Sequence, residues 1–445
     1  MFSKILIANR GEIAVRVIKT CKKLGIQTVA VYSEADAHSP HVKLADEAYC
    51  IGGPRVHESY LNLEKIIEIA KETKTDAIHP GYGLLSENPS FAARCEEEGI
   101  VFIGPSKDVI TRMGSKIESR KAMMEAGVPV VPGITTSIPT VEEAKAIANQ
   151  IGYPVMLKAS AGGGGIGMQV IETEQTLVQA FESNQTRAKN FFGNGEMYIE
   201  KLITNAHHIE IQVLADKQGN TAYLWERECS VQRRNQKVIE EAPSPFLDEE
   251  TRRAMGEVAV KAAKALGYVN AGTIEFLVDS EKNFYFLEMN TRLQVEHPVT
   301  EEITGLDLVE QQIRIAEGKE LPFTQEEIVR NGHAIEARIY AEDPKTFFPS
   351  PGRIHTLELP SDVRIDHCLE DGITITPFYD PMIAKVIVHG LTREEAIQKL
   401  KTALQDVKIE GIKTNTSMLL SVLEDETFQS GVYTTAFVQQ QLVKK

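Results

Sequence analysis

The chain of 445 residues has only five cysteines. Cys21, Cys50, Cys95, Cys229 and Cys368 contain no CxxC pair, so neither a zinc site nor a disulfide framework is expected, and a reducing cytoplasm suits the usage. Positive charge is also scarce: 48 Lys and Arg against 63 Asp and Glu give a net charge of -15. That balance excludes the basic footprint of a general nucleic-acid or anionic-membrane binder, so any anion site must be a local basic pocket. No stretch approaches the ~20 consecutive apolar residues that span a bilayer. Met1 to Ala8 lacks the long apolar core and cleavage site of a signal peptide, and there is no low-complexity tract or internal repeat. With 42% hydrophobic and 25% charged residues, the composition is that of a globular protein. At about 100–200 residues per domain, the length allows two to four domains.

Lys4 to Ala8 reads as a short buried strand, Ile13, Val17, Ile18 and Cys21 as one face of a helix ending near Gly25, and Thr28 to Tyr32 as a second strand. This is a βαβ unit. Further strands at Asp76 to Ile78 and Val101 to Ile103 make the first ~110 residues a doubly wound parallel sheet. The turn Asn9-Arg10-Gly11-Glu12 has one glycine where a dinucleotide fingerprint needs three, which argues against NAD or FAD. Gly127 to Gly133 reads as a rigid linker. The last segment, from about Gly332, is expected to hold strands at His333 to Tyr340 and Met382 to Val388. A helix should follow from a Thr392–Glu395 capping box to about Asp406.

Chemistry concentrates in two places. Pro154 to Lys158 and Met168 to Ile171 read as strands flanking Gly162-Gly163-Gly164-Gly165-Ile166-Gly167. A glycine run there can close backbone N–H groups over phosphates; the alternative is a plain flexible hairpin tip. It is not a Walker A loop, since no Gly-Lys-Ser/Thr opens a helix. Gly272 to Val278 and Phe284 to Asn290 read as a hairpin around Asp279 to Asn283. Continued at period two, its second strand puts Glu288, Asn290, Arg292, Gln294 and Glu296 on one face. Glu275, Glu288 and Asn290 supply oxygen ligands suited to Mg²⁺, Arg292 a planar fork for a small oxyanion, and Glu296 a general base. The bland alternative is a solvated strand face with salt bridges, weakened by five such residues in register. Arg233 to Lys237 is a cationic cluster able to offset phosphate charge, and His208, Glu210 and Gln212 alternate on a strand.

Four motifs then carry a resemblance: Ile7-Ala8-Asn9-Arg10-Gly11-Glu12-Ile13-Ala14, His79-Pro80-Gly81-Tyr82-Gly83, Glu288-Met289-Asn290-Thr291-Arg292 and Gln294-Val295-Glu296-His297-Pro298. Together they resemble the biotin carboxylases of the ATP-grasp superfamily over essentially the whole chain. The resemblance implies an α/β and α+β multidomain fold. Residues 1–113 would form a Rossmann-like domain, 114–330 an ATP-grasp domain with a mobile lid at about 131–203, and 331–445 a C-terminal α/β domain.

The resemblance also implies a C–N bond-forming ligase that uses ATP and bicarbonate, through carboxyphosphate, to carboxylate biotin. Lys116, Lys158 and the flap glycines Gly163, Gly164 and Gly165 would contact ATP phosphates. Glu200, Lys201, Leu202 and Ile203 would form the adenine hinge, with His208 and Asn235 beside the nucleotide. Glu275, Glu288 and Asn290 would hold Mg²⁺ or Mn²⁺. Lys237, Arg292, Gln294 and the Val295 backbone would hold bicarbonate, with Glu296 as its base, and Arg338 would stabilise the biotin enolate.

Three positions depart from the family pattern. Ile166 and Gln169 stand where basic residues are usual, and Asn235 where a histidine is typical, so altered ATP affinity or lid kinetics is expected. None of the eleven methionines is followed by lysine, and a chain this long leaves no room for a carrier. The biotin is therefore expected on a separate carboxyl carrier protein, with carboxyltransferase subunits as further partners and a homodimer as the family's assembly. Acetyl-CoA carboxylase is the default holoenzyme; propionyl-CoA, methylcrotonyl-CoA and two-subunit pyruvate carboxylases use similar chains. The competing readings are another ATP-grasp ligase and a catalytically weak ATP-binding assembly subunit, which bicarbonate-dependent, biotin-stimulated ATP hydrolysis would separate.

Overall fold

A computed structural model describes residues 1–134, 136–161 and 167–441. The N-terminal strands Lys4–Ile7, Gln27–Tyr32, Glu47–Cys50, Ala77–His79 and Val101–Phe102 form one wholly parallel sheet. Lys4–Ile7 is central, flanked by Gln27–Tyr32 and Ala77–His79. Strand residues Ile5, Leu6 and Ile7 are fully buried, which is how a parallel sheet covered by helices on both faces must read. The helix Gly11–Lys23 lays Ile13, Ala14, Val17, Ile18 and Cys21 against it. Asn9 ties this first turn to the fourth strand's loop, its Nδ2 donating to the carbonyls of Pro80 and Tyr82 at 2.8 Å each. Gly81 has φ +63°, and a Cβ there would lie 2.8 Å from Asn9 Nδ2, so the His79 to Gly83 motif requires glycine at that point.

An eight-stranded sheet forms the centre of the molecule. Its order is Phe284–Asn290, Asn270–Val278, His207–Ala215, Thr221–Arg233, Gln236–Ala242, His333–Tyr340, Met382–Gly390 and Arg364–His367, with every adjacent pair antiparallel. Thr221–Arg233 and Gln236–Ala242 are joined by the two residues Arg234 and Asn235, at φ +49° and +64°. Two left-handed residues suit the twist of a tight hairpin, and asparagine tolerates that conformation well. Helix Arg393–Asp406 buries Ala396, Leu400, Ala403 and Leu404 in the same cluster as Ile335, Ala337 and Val386. A smaller antiparallel sheet, Met168–Ile171, Val155–Ala159 and Met197–Lys201, packs beneath helices Val141–Ile151 and Glu174–Phe192.

Two sequence expectations fail in detail. The second hairpin strand ends at Asn290 instead of continuing at period two. Residues 291–296 leave the sheet, and Glu296 becomes the N-cap of helix His297–Thr304, whose Pro298 favours a helix start over a strand. The Thr392–Glu395 capping box is half formed: Thr392 Oγ1 accepts from Glu395 N–H at 3.2 Å, but the Glu395 carboxylate accepts from Leu391 N–H. Gly163, Gly164, Gly165 and Ile166 lie outside the described residues. No helix among the described residues is long and apolar enough to cross a membrane.

Candidate active site

The site is built where the antiparallel sheet meets the 291–296 segment. Lys237, the first inward residue after the Arg234-Asn235 turn, donates to three carboxylates. Glu296 Oε1 lies at 2.6 Å, Glu210 Oε2 at 2.7 Å and Glu275 Oε1 at 3.0 Å. Burial alone would lower the Lys237 pKa, but these anions hold it well above the ordinary lysine value. Beneath it, the fully buried Arg227 donates to Glu210 Oε1 at 2.6 Å, Gln212 Oε1 at 2.7 Å, Thr300 Oγ1 at 2.9 Å and Thr273 Oγ1 at 3.1 Å. Such a fork satisfied on every side fixes the spacing of three strands and one helix.

Glu296 is 1% exposed, and its second oxygen accepts from Arg338 NH2 at 2.9 Å. Burial raises its pKa, but Lys237 and Arg338 outweigh that and hold it well below the carboxylate range, so it is ionised at neutral pH. Arg338 is also ion-paired with Glu240, on the neighbouring strand. Arg292 reaches in from the bend after Asn290, donating to Glu87 Oε2 at 2.9 Å and Asn290 Oδ1 at 3.0 Å. Gln294 Nε2 donates to Glu275 Oε1 at 3.0 Å and Glu210 Oε2 at 3.2 Å. Thus the five residues expected on one strand face do converge, although a bend and a helix cap do what continuous pleating was expected to do. Tyr82, Arg292, Val295, Gln236, Arg338 and Tyr340 are among the residues around a cavity of about 360 Å³.

Glu275 and Glu288 are directly opposed across the hairpin. Burial and the Glu275 charge push Glu288 up; Glu275, despite its own burial, is held well below the usual range by Lys237 and His208. Opposed carboxylates repel; Asn290 turns its amide nitrogen to this pair, Nδ2 donating to Glu275 Oε1 at 2.9 Å while its Oδ1 accepts from Arg292, so the two carboxylates are the oxygens here suited to a small hard divalent cation. Among the described residues His208, Glu210 and Glu275 also bring ligand atoms within 4.8 Å of one another. There, however, His208 Nε2 is 2.9 Å from Glu275 Oε2 and its Nδ1 2.8 Å from Gln232 Nε2, and an imidazole suits Mg²⁺ less well than oxygen does.

The expected nucleotide contacts are more dispersed. Lys158 Nζ is ion-paired with the buried Glu200 carboxylate, while Lys116 is half-buried, and burial lowers its pKa against the pull of Glu288. Glu200 and Lys201 end a strand, and Leu202 and Ile203 leave it; Lys201 Nζ donates to the Gly152 carbonyl at 2.7 Å. Asn235 is exposed at its hairpin tip. Gln169 Oε1 accepts from Asn184 Nδ2 at 2.7 Å. Sequence reasoning did not assign Glu87, Arg227 and Glu240, nor give Glu210 more than an alternating position. Glu210 carried a signal, its place in the His208-Glu210-Gln212 alternation opposite Glu275; the others have partners far away in the chain.

Comparison with known proteins places this geometry. Residues 1–110 match the model of the biotin carboxylase N-terminal domain, 115–324 that of the carbamoyl-phosphate synthase L chain ATP-binding domain, and 336–440 that of the biotin carboxylase C-terminal domain. The chain is 66% identical to biotin carboxylase 2 of Bacillus subtilis over 99% of its own length and 100% of that protein's. It superposes with a TM-score of 0.96, at 51% identity, on the biotin carboxylase domain dimer of Hydrogenobacter thermophilus 2-oxoglutarate carboxylase in complex with MgADP, ADP and bicarbonate, covering 99% of this chain and 98% of that one. The TM-score is 0.97, at 48% identity and 99% coverage of both chains, on a Campylobacter jejuni biotin carboxylase bound to a β,γ-ATP ligand. With a sheet, a carboxylate cluster and a full-length likeness all in agreement, the chain belongs to the biotin carboxylase family of ATP-grasp enzymes.

Proposed function

We propose that this chain carboxylates biotin on a separate carrier protein, using ATP and bicarbonate, as the first half-reaction of acetyl-CoA or another acyl-CoA carboxylase. The observation that carries this reading is the sharing of one buried carboxylate, Glu296, between Lys237 at 2.6 Å and Arg338 at 2.9 Å, with Gln294 donating to the neighbouring Glu210 and Glu275 and with Arg292 and Arg338 lining the cavity. Cations around an ionised carboxylate can bind a second small anion and still leave a base beside it.

In this reading Lys237, Arg292, Gln294 and the Val295 backbone hold bicarbonate. Glu296 takes its proton, and the freed oxygen attacks the γ-phosphorus of ATP while the bond to the β,γ-bridging oxygen breaks, giving carboxyphosphate and ADP. Lys116 and Lys158 bind the phosphates, and Glu200 to Ile203, His208 and Asn235 line the nucleoside side. Glu275, Glu288 and Asn290 would hold Mg²⁺ or Mn²⁺, which when bound offsets phosphate charge. Carboxyphosphate splits into CO₂ and phosphate, the phosphate takes the biotin N1 proton, and N1 attacks CO₂ while Arg338 stabilises the enolate oxygen. Residues 1–113, 114–330 and 331–445 act as the three segments of this machine. The assembly is a homodimer served by a biotin carboxyl carrier protein and carboxyltransferase subunits.

The test is ATP hydrolysis by the purified protein, with bicarbonate and free biotin added separately. Hydrolysis is expected only with bicarbonate and to rise with biotin, and labelled bicarbonate should appear in carboxybiotin. A folded, ATP-binding preparation that shows neither dependence overturns the reading.

A further inference from the structure

Behind the 291–296 segment lies a charged side chain with no part in the reaction just described. Lys385, on strand Met382–Gly390, is 0% exposed. Burying an ammonium costs several kcal/mol unless it is well paired, and Lys385 is committed to three directions. Its Nζ donates to the Val295 carbonyl at 2.8 Å, faces Glu12 Oε2 at 3.3 Å and lies 3.9 Å from Asp366 Oδ2. Glu12 in turn accepts from the Tyr82 hydroxyl, which lies at the same cavity as Val295. Burial would discharge the amine, but Glu12, Glu336 and Asp366 outweigh it and keep Lys385 protonated.

A trans peptide is planar, with its C=O and N–H pointing in opposite directions. Gripping the Val295 carbonyl therefore fixes the Glu296 N–H on the side away from Lys385, and with it the start of the Glu296 side chain. The residues on either side are the ones that hold Lys237, Glu210 and Glu275 in place: Gln294 through its amide and Glu296 through its carboxylate. A free Val295–Glu296 peptide could rotate as a unit, moving both.

We infer that Lys385 is a positioning residue for bicarbonate, holding the Val295–Glu296 peptide in its binding orientation from behind the pocket. This rests on the reading of residues 292–296 as the bicarbonate site. A strut serving only to fill the interior would affect stability alone. A clasp on this peptide affects bicarbonate more than ATP, because the nucleotide contacts lie on other elements.

The experiment measures KM for bicarbonate and for ATP, kcat and the melting temperature in the full chain. The variants are Lys385→Met, Lys385→Met/Asp366→Asn and Asp366→Asn. The double variant removes one buried cation and one buried anion together, so the interior stays balanced if the single variant fails to fold. In folded protein, loss of Lys385 should raise KM for bicarbonate about tenfold or more while KM for ATP moves less than about twofold. Asp366→Asn, which keeps the clasp, should leave the bicarbonate KM at the parental value. A bicarbonate KM within about twofold of the parent in whichever Lys385 variant folds, or equal rises in both KM values, overturns the inference. Absence of bicarbonate-dependent hydrolysis in the parent protein would instead strike at the proposed function.

Discussion

Glu240 and Glu241 are neighbours on one strand, both fully buried, yet their surroundings are opposite. Glu241 faces the C-terminal helices, where it accepts from Arg393 Nε at 2.7 Å and NH2 at 3.0 Å, from His333 and from the Tyr433 hydroxyl. Burial pushes its pKa up, but Arg393 and His333 overcome that and hold it at about 2. Glu240 faces the reaction pocket, opposite the Glu336 carboxyl, which has no hydrogen-bond partner among the described residues, and shares Arg338 with Glu296. Burial and the Glu296 charge lift it to about 7, more than Arg338 can lower it. Alternation along a strand sends adjacent side chains to opposite faces, so one strand serves both a balanced charge cluster that holds the fold and an unbalanced one that awaits substrate.

The comparison breaks most severely at Glu241. Replacing it with alanine leaves Arg393 and His333 buried without their anion, a loss expected to cost about 3–5 kcal/mol in chemical denaturation, with the activity of the remaining folded molecules unchanged. Arg338→Met acts on the other face: in the folded protein biotin carboxylation should fall about 10²–10³-fold, as for loss of one transition-state donor. A stable Glu241→Ala protein or a fully active Arg338→Met protein would erase the distinction.

Acid sharpens it further. Glu241, with a folded pKa of about 2 against an ordinary 4.5, contributes stability that is complete above pH 4.5 and lost as the pH falls toward 2, about 3 kcal/mol in all. Glu240, raised from 4.5 to about 7, has the opposite sign: its ionisation costs stability progressively as pH rises between those values. Melting temperature against pH should therefore fall steeply at the acid end in the parent protein, and Glu240→Gln should flatten the slope between pH 4.5 and 7. The smallest effect belongs to Asn235→His, at the exposed hairpin tip, where KM for ATP should change by no more than a few-fold, about 1 kcal/mol. A change confined to bicarbonate would place Asn235 elsewhere.

Local patterns were legible wherever they were self-contained. The first βαβ unit, the Gly272 to Asn290 hairpin and the Thr392 N-cap all appear within a residue or two of their expected bounds, because buried runs and turn chemistry act over a few neighbours. Period-two reasoning placed Arg292, Gln294 and Glu296 beside Glu288 and Asn290, but through the wrong backbone. Pro298 and the helix it starts bend the chain, a competition that alternation alone does not register. Glu87, Arg227, Glu240 and Lys385 escaped notice for another reason. Each gains its meaning from a partner that only the folded sheet brings near, such as Glu87 from Arg292 or Lys385 from Val295.

The eight-stranded sheet passes without interruption from Gln236–Ala242 to His333–Tyr340, so Lys237 and Arg338, which meet at Glu296, arrive from opposite sides of that seam. During synthesis the ribosome must pass Tyr340, about three-quarters of the way along the chain, before the seam can close. Until then Gln236–Ala242 is an open edge carrying buried residues, the kind of surface that pairs with other nascent chains. The pocket therefore comes into being late and all at once, and a break between residues 324 and 336 would yield two sticky halves instead of two working modules.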